Sequence, residues 1–394
     1  MRVLLLRHYP PLEGPSMRQF ADQIACGLRD RGHRVDEITA PVIMSRLLPR
    51  THPAAKWLGY VDQFLIFPPR LYLKVRQLPV GSLCVLSDQA LAPWLGWFAR
   101  RPHVVHCHDL LALEAAVGLQ PFHRPSTSGC CYQYWIRRGF RRGRCFLSVS
   151  AATKKALENH LLHRPHLSAV LYNYLHPRFS VIPPSQSATL IQRTLPGIDE
   201  QTFVLHIGRN WYKNRLGVLE IFGQLHFLQP SVHLILVGSP DEVMQAWLQK
   251  HSDLKPLVHV LDRASDDLIV ALYNRAAVLL FPSHGEGFGW PILEALACGC
   301  PVITTDRPPM TEVGGDAVVF IPPAPSPPQA LAAWARAAAE QVDLVLRRSP
   351  AEHELIRQLG FAQAHRFQHE TWLDQLESFY LQALVFQGTK PYMA

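Results

Sequence analysis

Short apolar runs alternate with amphipathic stretches of helical length along almost the whole chain, in two successive series. The first series falls at residues 3–6, 34–39, 83–86, 104–107, 145–148 and 169–171. The second falls at 203–207, 233–237, 257–261, 277–281, 301–304 and 318–321. Runs this short, with little polar alternation, suit strands covered on both faces, as in a parallel sheet between helices. The pattern predicts an α/β protein of two Rossmann-like, doubly wound domains. Helices are expected over 17–31, stopped by Gly32, and over 330–347 and 351–384. The Pro/Ser-rich stretch 181–200 reads as a linker between an N-terminal domain, 1–180, and a C-terminal domain, 201–370, with a final helix at 371–394. Neither series carries G-x-G-x-x-G after its first strand, which argues against a nicotinamide-dependent dehydrogenase.

Composition narrows the classes further. Hydrophobic residues make up 48% of the 394 positions and charged residues 18%, which excludes a largely disordered chain. No apolar run approaches the roughly 20 residues of a membrane span, and Arg7 and His8 interrupt the apolar start before it reaches signal-peptide length. A cytoplasmic protein is expected, with its eight cysteines as free thiols. The net charge of +8 divides unevenly, +14 over residues 1–180 and −6 over 181–394, which points to an anionic partner on the N-terminal side. Much of that excess lies in Arg137-Arg138-Gly139-Phe140-Arg141-Arg142-Gly143-Arg144. On a helix, this spacing stacks Arg137 on Arg141 and Arg138 on Arg142. The run reads either as a solvated face or, with the apolar stretch 57–67, as a surface for peripheral contact with anionic membrane. No nucleic-acid reader motif accompanies it, so no nucleic acid is expected as a partner.

Four constellations can carry chemistry. In Phe281-Pro282-Ser283-His284-Gly285-Glu286-Gly287-Phe288-Gly289-Trp290-Pro291, a strand ends and a glycine-rich loop leads into a helix. Its backbone amides can approach an anion, and Glu286 and Glu294 can grip hydroxyls from two sides. After the first strand of the second series, Gly208 and Arg209 precede Lys213 and Arg215. Three cations at one strand end suit a diphosphate. In His106-Cys107-His108-Asp109, a neutral imidazole can orient a hydroxyl, and the same residues also read as half of a metal site. The loop after the first strand holds Gly14-Pro15-Ser16, where Gly14 and Ser16 can offer amides that Pro15 lacks.

These residues carry a resemblance. Glu286, seven residues and Glu294, followed by Ala295-Leu296-Ala297-Cys298-Gly299-Cys300-Pro301, look like the signature of retaining glycosyltransferases of family 4 (glycosyl transferases group 1), which have the GT-B fold. The resemblance extends over the opening loop, 106–109, 148–153, 170–173 and 208–209. It implies two domains facing a central cleft, with a nucleotide-diphosphate sugar held by the C-terminal domain and a glycan or lipid-linked acceptor by the N-terminal one. It implies retaining, metal-independent hexosyl transfer in polysaccharide or glycolipid synthesis, without a cofactor. Catalytic roles would then fall on His108, Glu286, Arg209 and Lys213. Donor binding would fall on Gly208, Arg209, Lys213, Gly287, Phe288, Gly289 and Glu294, and the acceptor side on Gly14, Ser16 and His108. Lys213 stands one residue nearer the arginine than in many members, which leaves Arg215 open as the second donor cation. The final helix would cross back to the N-terminal domain. A non-catalytic nucleotide-sugar-binding protein, or an epimerase or phosphorylase of the same fold, are the alternative readings.

Overall fold

The computed structural model describes residues 1–49, 52, 54–326 and 328–388. The chain divides into two compact units: Met1–Leu119, Pro125–Tyr172 and the segment from Glu370 onward form the first, and Gln120–Arg124 with Asn173–His369 the second.

The first unit holds a six-stranded sheet of β1 (Arg2–Leu6), β2 (Arg34–Ile38), β3 (Leu83–Leu86), β4 (His103–Cys107), β5 (Cys145–Ser148) and β6 (Leu167–Val170). Its spatial order is β2-β1-β3-β4-β5-β6, and every pairing is parallel. In the second unit, β7 (Phe203–Ile207), β8 (His233–Val237), β9 (Val258–Leu261), β10 (Val278–Phe281), β11 (Val302–Thr305) and β12 (Val319–Ile321) form another parallel sheet. Here the order is β12-β11-β10-β7-β8-β9. The central strands are buried along their length, as the apolar runs require, because helices cover both faces. In each sheet the winding reverses once, between β1 and β3 and between β7 and β10. Such reversals open a crevice at the carboxyl ends of the strands, where open α/β sheets bind ligands.

Several elements depart from the sequence expectation. The stretch 181–200, read as a linker, lies inside the second unit and contains the helix Pro184–Thr194. That helix buries Ile191, and Asn274 anchors its approach by accepting from the Ile182 amide and donating to the Ser180 carbonyl. The passage between units falls earlier, at Tyr172 and Asn173. The single helix expected over 351–384 is broken. Pro350–Ala364 ends in the turn His365–Phe367, Gln368 is extended, and His369–Gly388 begins afresh. The break coincides with the return of the chain to the first unit, and the Phe367 carbonyl is taken up by the Leu175 amide.

In the first unit the final helix packs Leu373 against Gly27 of the helix Pro15–Asp30, where a β-carbon would meet the leucine at 2.4 Å. Tyr380 bonds the buried His106 at 2.7 Å, and Glu377 meets both Arg31 (3.1 Å) and His33 (2.6 Å). The apolar stretch 57–67 lies in one helical run over residues 55–77, with a π-turn at Asp62–Ile66. Asp62 is fully buried there and accepts from the amides of Met44 and Ser45 and the Tyr9 hydroxyl, which hold its carboxyl below the usual range despite burial. Among the described residues no helix is long and apolar enough to cross a membrane.

Candidate functional site

The carboxyl ends of β7 and β10 are neighbours across the reversal of the second sheet, so the loops that follow them meet. Gly208 leaves β7 with φ +121, and a β-carbon there would lie 2.8 Å from the Lys213 side chain. Only glycine allows both the conformation and the close return of the lysine. Asn214, at φ 55, caps the helix Arg215–His226 by accepting from the Gly217 amide, and its side-chain amide donates to the Pro282 carbonyl. The His284 amide donates to the Tyr212 carbonyl at 2.7 Å. These two bonds lock the β7 loop to the β10 loop and set the place of the charged pair between them. Lys213 Nζ lies 2.8 Å from Glu286 Oε1 and 3.0 Å from Oε2, and 4.5 Å from the centre of the Phe281 ring. Both side chains are largely buried.

Glu294 follows on the helix Trp290–Ala297, entered through Gly289 at φ +105. Tyr273 donates to Glu294 Oε2 at 2.9 Å. Burial pushes the Glu294 carboxyl up to about 7, against that bond and the fields of Lys213 and Arg178. Phe288 turns its ring into the protein against Trp290 and Phe367. Arg209 is exposed at the start of the β7 loop. Arg215 is placed otherwise. It is buried, donating to the carbonyls of Gly208, Gly238 and Ser239 and to Asp241 at 2.9 Å. Its guanidinium is spent on joining the ends of β7 and β8, which corrects its reading as a donor cation.

The sequence reading missed one contribution, a short segment between two prolines. Phe122 stacks on the His284 ring at 3.6 Å, and His123 stacks on Trp211 at 5.1 Å. Burial and the nearby Arg307 lower His284 to about 4. No spacing rule marks these residues, because they come from a loop of the first series yet pack in the second unit.

The other candidates lie in the first unit. His108, beyond β4, is buried, and Nε2 must donate to the Ser87 carbonyl at 2.8 Å, since a carbonyl only accepts. That fixes the tautomer and leaves Nδ1 as the acceptor of a neutral ring, which burial favours by lowering its pKa. His106 is taken by Tyr380. Among the described residues no group of three or more His, Cys, Asp or Glu could hold a metal ion. Gly14 is the extended N-cap of Pro15–Asp30, with open space at its β-carbon position, and Ser16 is exposed in the first turn. Neither is a side-chain cap. Beside them Arg7 pairs with Asp22 and Glu37, each at 2.7 Å, in a charge cluster that the sequence did not reveal.

Comparison with known proteins places this geometry. The O-antigen chain mannosyltransferase RfbU of Salmonella typhimurium is 26% identical over 211 residues, covering 52% of this chain and 55% of RfbU. The chain thus spans about half the length of that curated relative. The crystal structure of Anabaena HepE in complex with UDP and glucose superposes with a TM-score of 0.68 at 20% identity, covering 96% of this chain and 98% of HepE. Sucrose-phosphate synthase from Thermosynechococcus elongatus gives 0.71 at 18% identity over 98% and 99%. The two parallel six-stranded sheets are those of the GT-B fold, and residues 190–350, which carry both interlocked loops, match the family described as Glycosyl transferases group 1.

Proposed function

We propose that the protein is a retaining glycosyltransferase of family 4, moving a hexose from a nucleotide-diphosphate sugar to a glycan or lipid-linked acceptor without a metal. The observation that carries the reading is the Lys213–Glu286 pair, with Glu294 behind it, at the reversal between β7 and β10. Lys213 and the exposed Arg209 offer cations to a diphosphate, and the amides of Gly287, Phe288 and Gly289 add donors at a helix N-terminus. A diphosphate that draws Lys213 to itself frees the Glu286 carboxylate to accept from sugar hydroxyls. Glu294 suits the ribose hydroxyls. In the transfer, the bond from the anomeric carbon to the diphosphate breaks and the acceptor oxygen bonds that carbon from the same face. A donor phosphate oxygen takes the acceptor's proton. Lys213 and Arg209 hold the charge that grows on the leaving group, the part a metal plays elsewhere. His108, neutral and presenting Nδ1, orients a hydroxyl on the acceptor-binding unit, with Gly14 and Ser16 at the opening loop. RfbU is named a mannosyltransferase and HepE was crystallised with UDP and glucose, which supports a nucleotide-hexose donor.

The test is calorimetric titration of UDP, GDP and ADP, followed by sugar release from UDP- and GDP-hexoses with chelator present and candidate acceptors added. The double variant Arg209→Ala, Lys213→Ala should lose at least about tenfold in affinity for the preferred diphosphate, since charge-assisted bonds contribute about 1.5–3 kcal/mol each. Unchanged affinity removes the donor assignment, and activity lost to chelator removes the metal-free mechanism.

A further inference from the structure

The arginine run of the first unit does not form one face. The helix Thr127–Phe140 ends before Arg141, and the chain turns through Arg142 and Gly143 into β5. Arg142 points toward Gly96, where its Nη1 would lie 3.0 Å from a β-carbon, and the Arg144 amide donates to His103. Arg137, Arg138 and Arg141 instead converge with Tyr134, His160 and Leu162 on a cavity of about 160 Å³. His160 is buried at the end of the helix Ala151–His160, with its basicity lowered by burial and by Arg137. Among the described residues none of the three arginines has a carboxylate within ion-pair distance. The helix dipole favours cations in its last turn, but this effect is small at a surface. The one carboxylate among the described residues whose field reaches the cavity is that of Glu114, which acts on His160 against Arg137 and so sets a single negative charge against three guanidiniums. Like charges at i and i+4 disfavour the helix unless an anion lies between them. Three planar forks around one hollow suit an oxyanion with several acceptor oxygens, and a phenol and an imidazole add neutral hydrogen-bonding groups.

We propose that Arg137, Arg138 and Arg141, with Tyr134 and His160, form a binding site for a phosphate group, borne by a lipid headgroup or by a soluble phosphate ester. The site is independent of the donor loops and does not rest on the glycosyltransferase reading.

The experiment uses the full chain. Inorganic phosphate is followed by ³¹P relaxation, and phosphatidylcholine vesicles with and without phosphatidic acid by co-sedimentation. The Arg209→Ala, Lys213→Ala background silences the donor loop. In that background phosphate binding should persist, and adding Arg137→Ala, Arg141→Ala should weaken it by at least about tenfold. Arg137→Lys, Arg141→Lys keeps the charge and loses the forks, so it too should bind more weakly, and it guards against a misfolded alanine variant. Loss of phosphatidic-acid-dependent sedimentation in the same variants assigns the site to a headgroup. Loss on inorganic phosphate alone assigns it to a soluble ester. Unchanged binding of both probes in the alanine variant overturns the proposal. So does wild-type binding in the lysine variant, which would show diffuse attraction and no built site.

Discussion

Glu294 and Lys213 show what a single side chain reveals in a sequence and what it hides. Both stand out by type and spacing, because carboxylates and cations beside glycines at strand ends have few structural uses. Arg215 stands out by the same rule and is misread by it, since nothing in the sequence says that three carbonyls and Asp241 close around its guanidinium. Burial is also what sets the charge of Glu294. Its folded pKa, about 7, lies above the ordinary carboxyl value of 4.5. The stability lost by burying it is therefore absent below the ordinary value, grows as pH rises toward 7, and is complete above that. Glu294→Gln should raise the thermal midpoint of the unliganded protein by about 2–4 °C at pH 8 and leave it nearly unchanged at pH 5, which calorimetry at the two pH values reads directly. An equal shift at both would mean that the carboxyl is ionised throughout.

At the scale of elements, the twelve described strands were legible to within about two residues, the central ones because strands buried on both faces leave uninterrupted apolar runs, and the edge strands β2 and β6, only partly buried, by their place in the alternation with helices. Helices were less so. The helix Pro184–Thr194 is written in proline and serine, residues that mark loops until Ile191 and Ser187 are seen to be buried. The run 55–77 conceals Asp62 at its π-turn, a buried acid whose partners lie at Tyr9 and Met44–Ser45 and are invisible locally. Helix Thr127–Phe140 is held by an equally non-local contact. A β-carbon on Gly139 would sit 2.3 Å from the Ala92 carbonyl oxygen, which is backbone and cannot swing aside. Gly139→Ala should therefore destabilise the protein by about 1–3 kcal/mol in urea denaturation, although alanine is the better helix former. A stabilised variant would show that the two elements can separate freely.

Across the whole molecule, the charge division found in the sequence narrows when counted by unit, to +10 over the first and −2 over the second, because the segment from Glu370 carries acidic residues back to the basic unit. What composition could not show is that the first unit is assembled from segments on either side of the second in sequence. The segment from Glu370 onward supplies Leu373 against Gly27, Tyr380 on His106, and Glu377 between Arg31 and His33. Deleting it should leave the second unit's hydrogen-exchange protection intact and collapse that of β1, β4 and the helix Pro15–Asp30. Equal protection in the shortened chain would show that the helix merely decorates a unit already complete. The same arrangement bears on the order of events at the ribosome. Although residues 1–172 are translated before most of the second unit, their sheet waits for partners translated after it, while the second unit has nearly everything it needs before Glu370 leaves the tunnel. Synthesis and completion thus run in opposite directions, so the half made earliest is the one that depends longest on chaperones, with the apolar faces beside His106 and Gly27 uncovered until the last helix arrives.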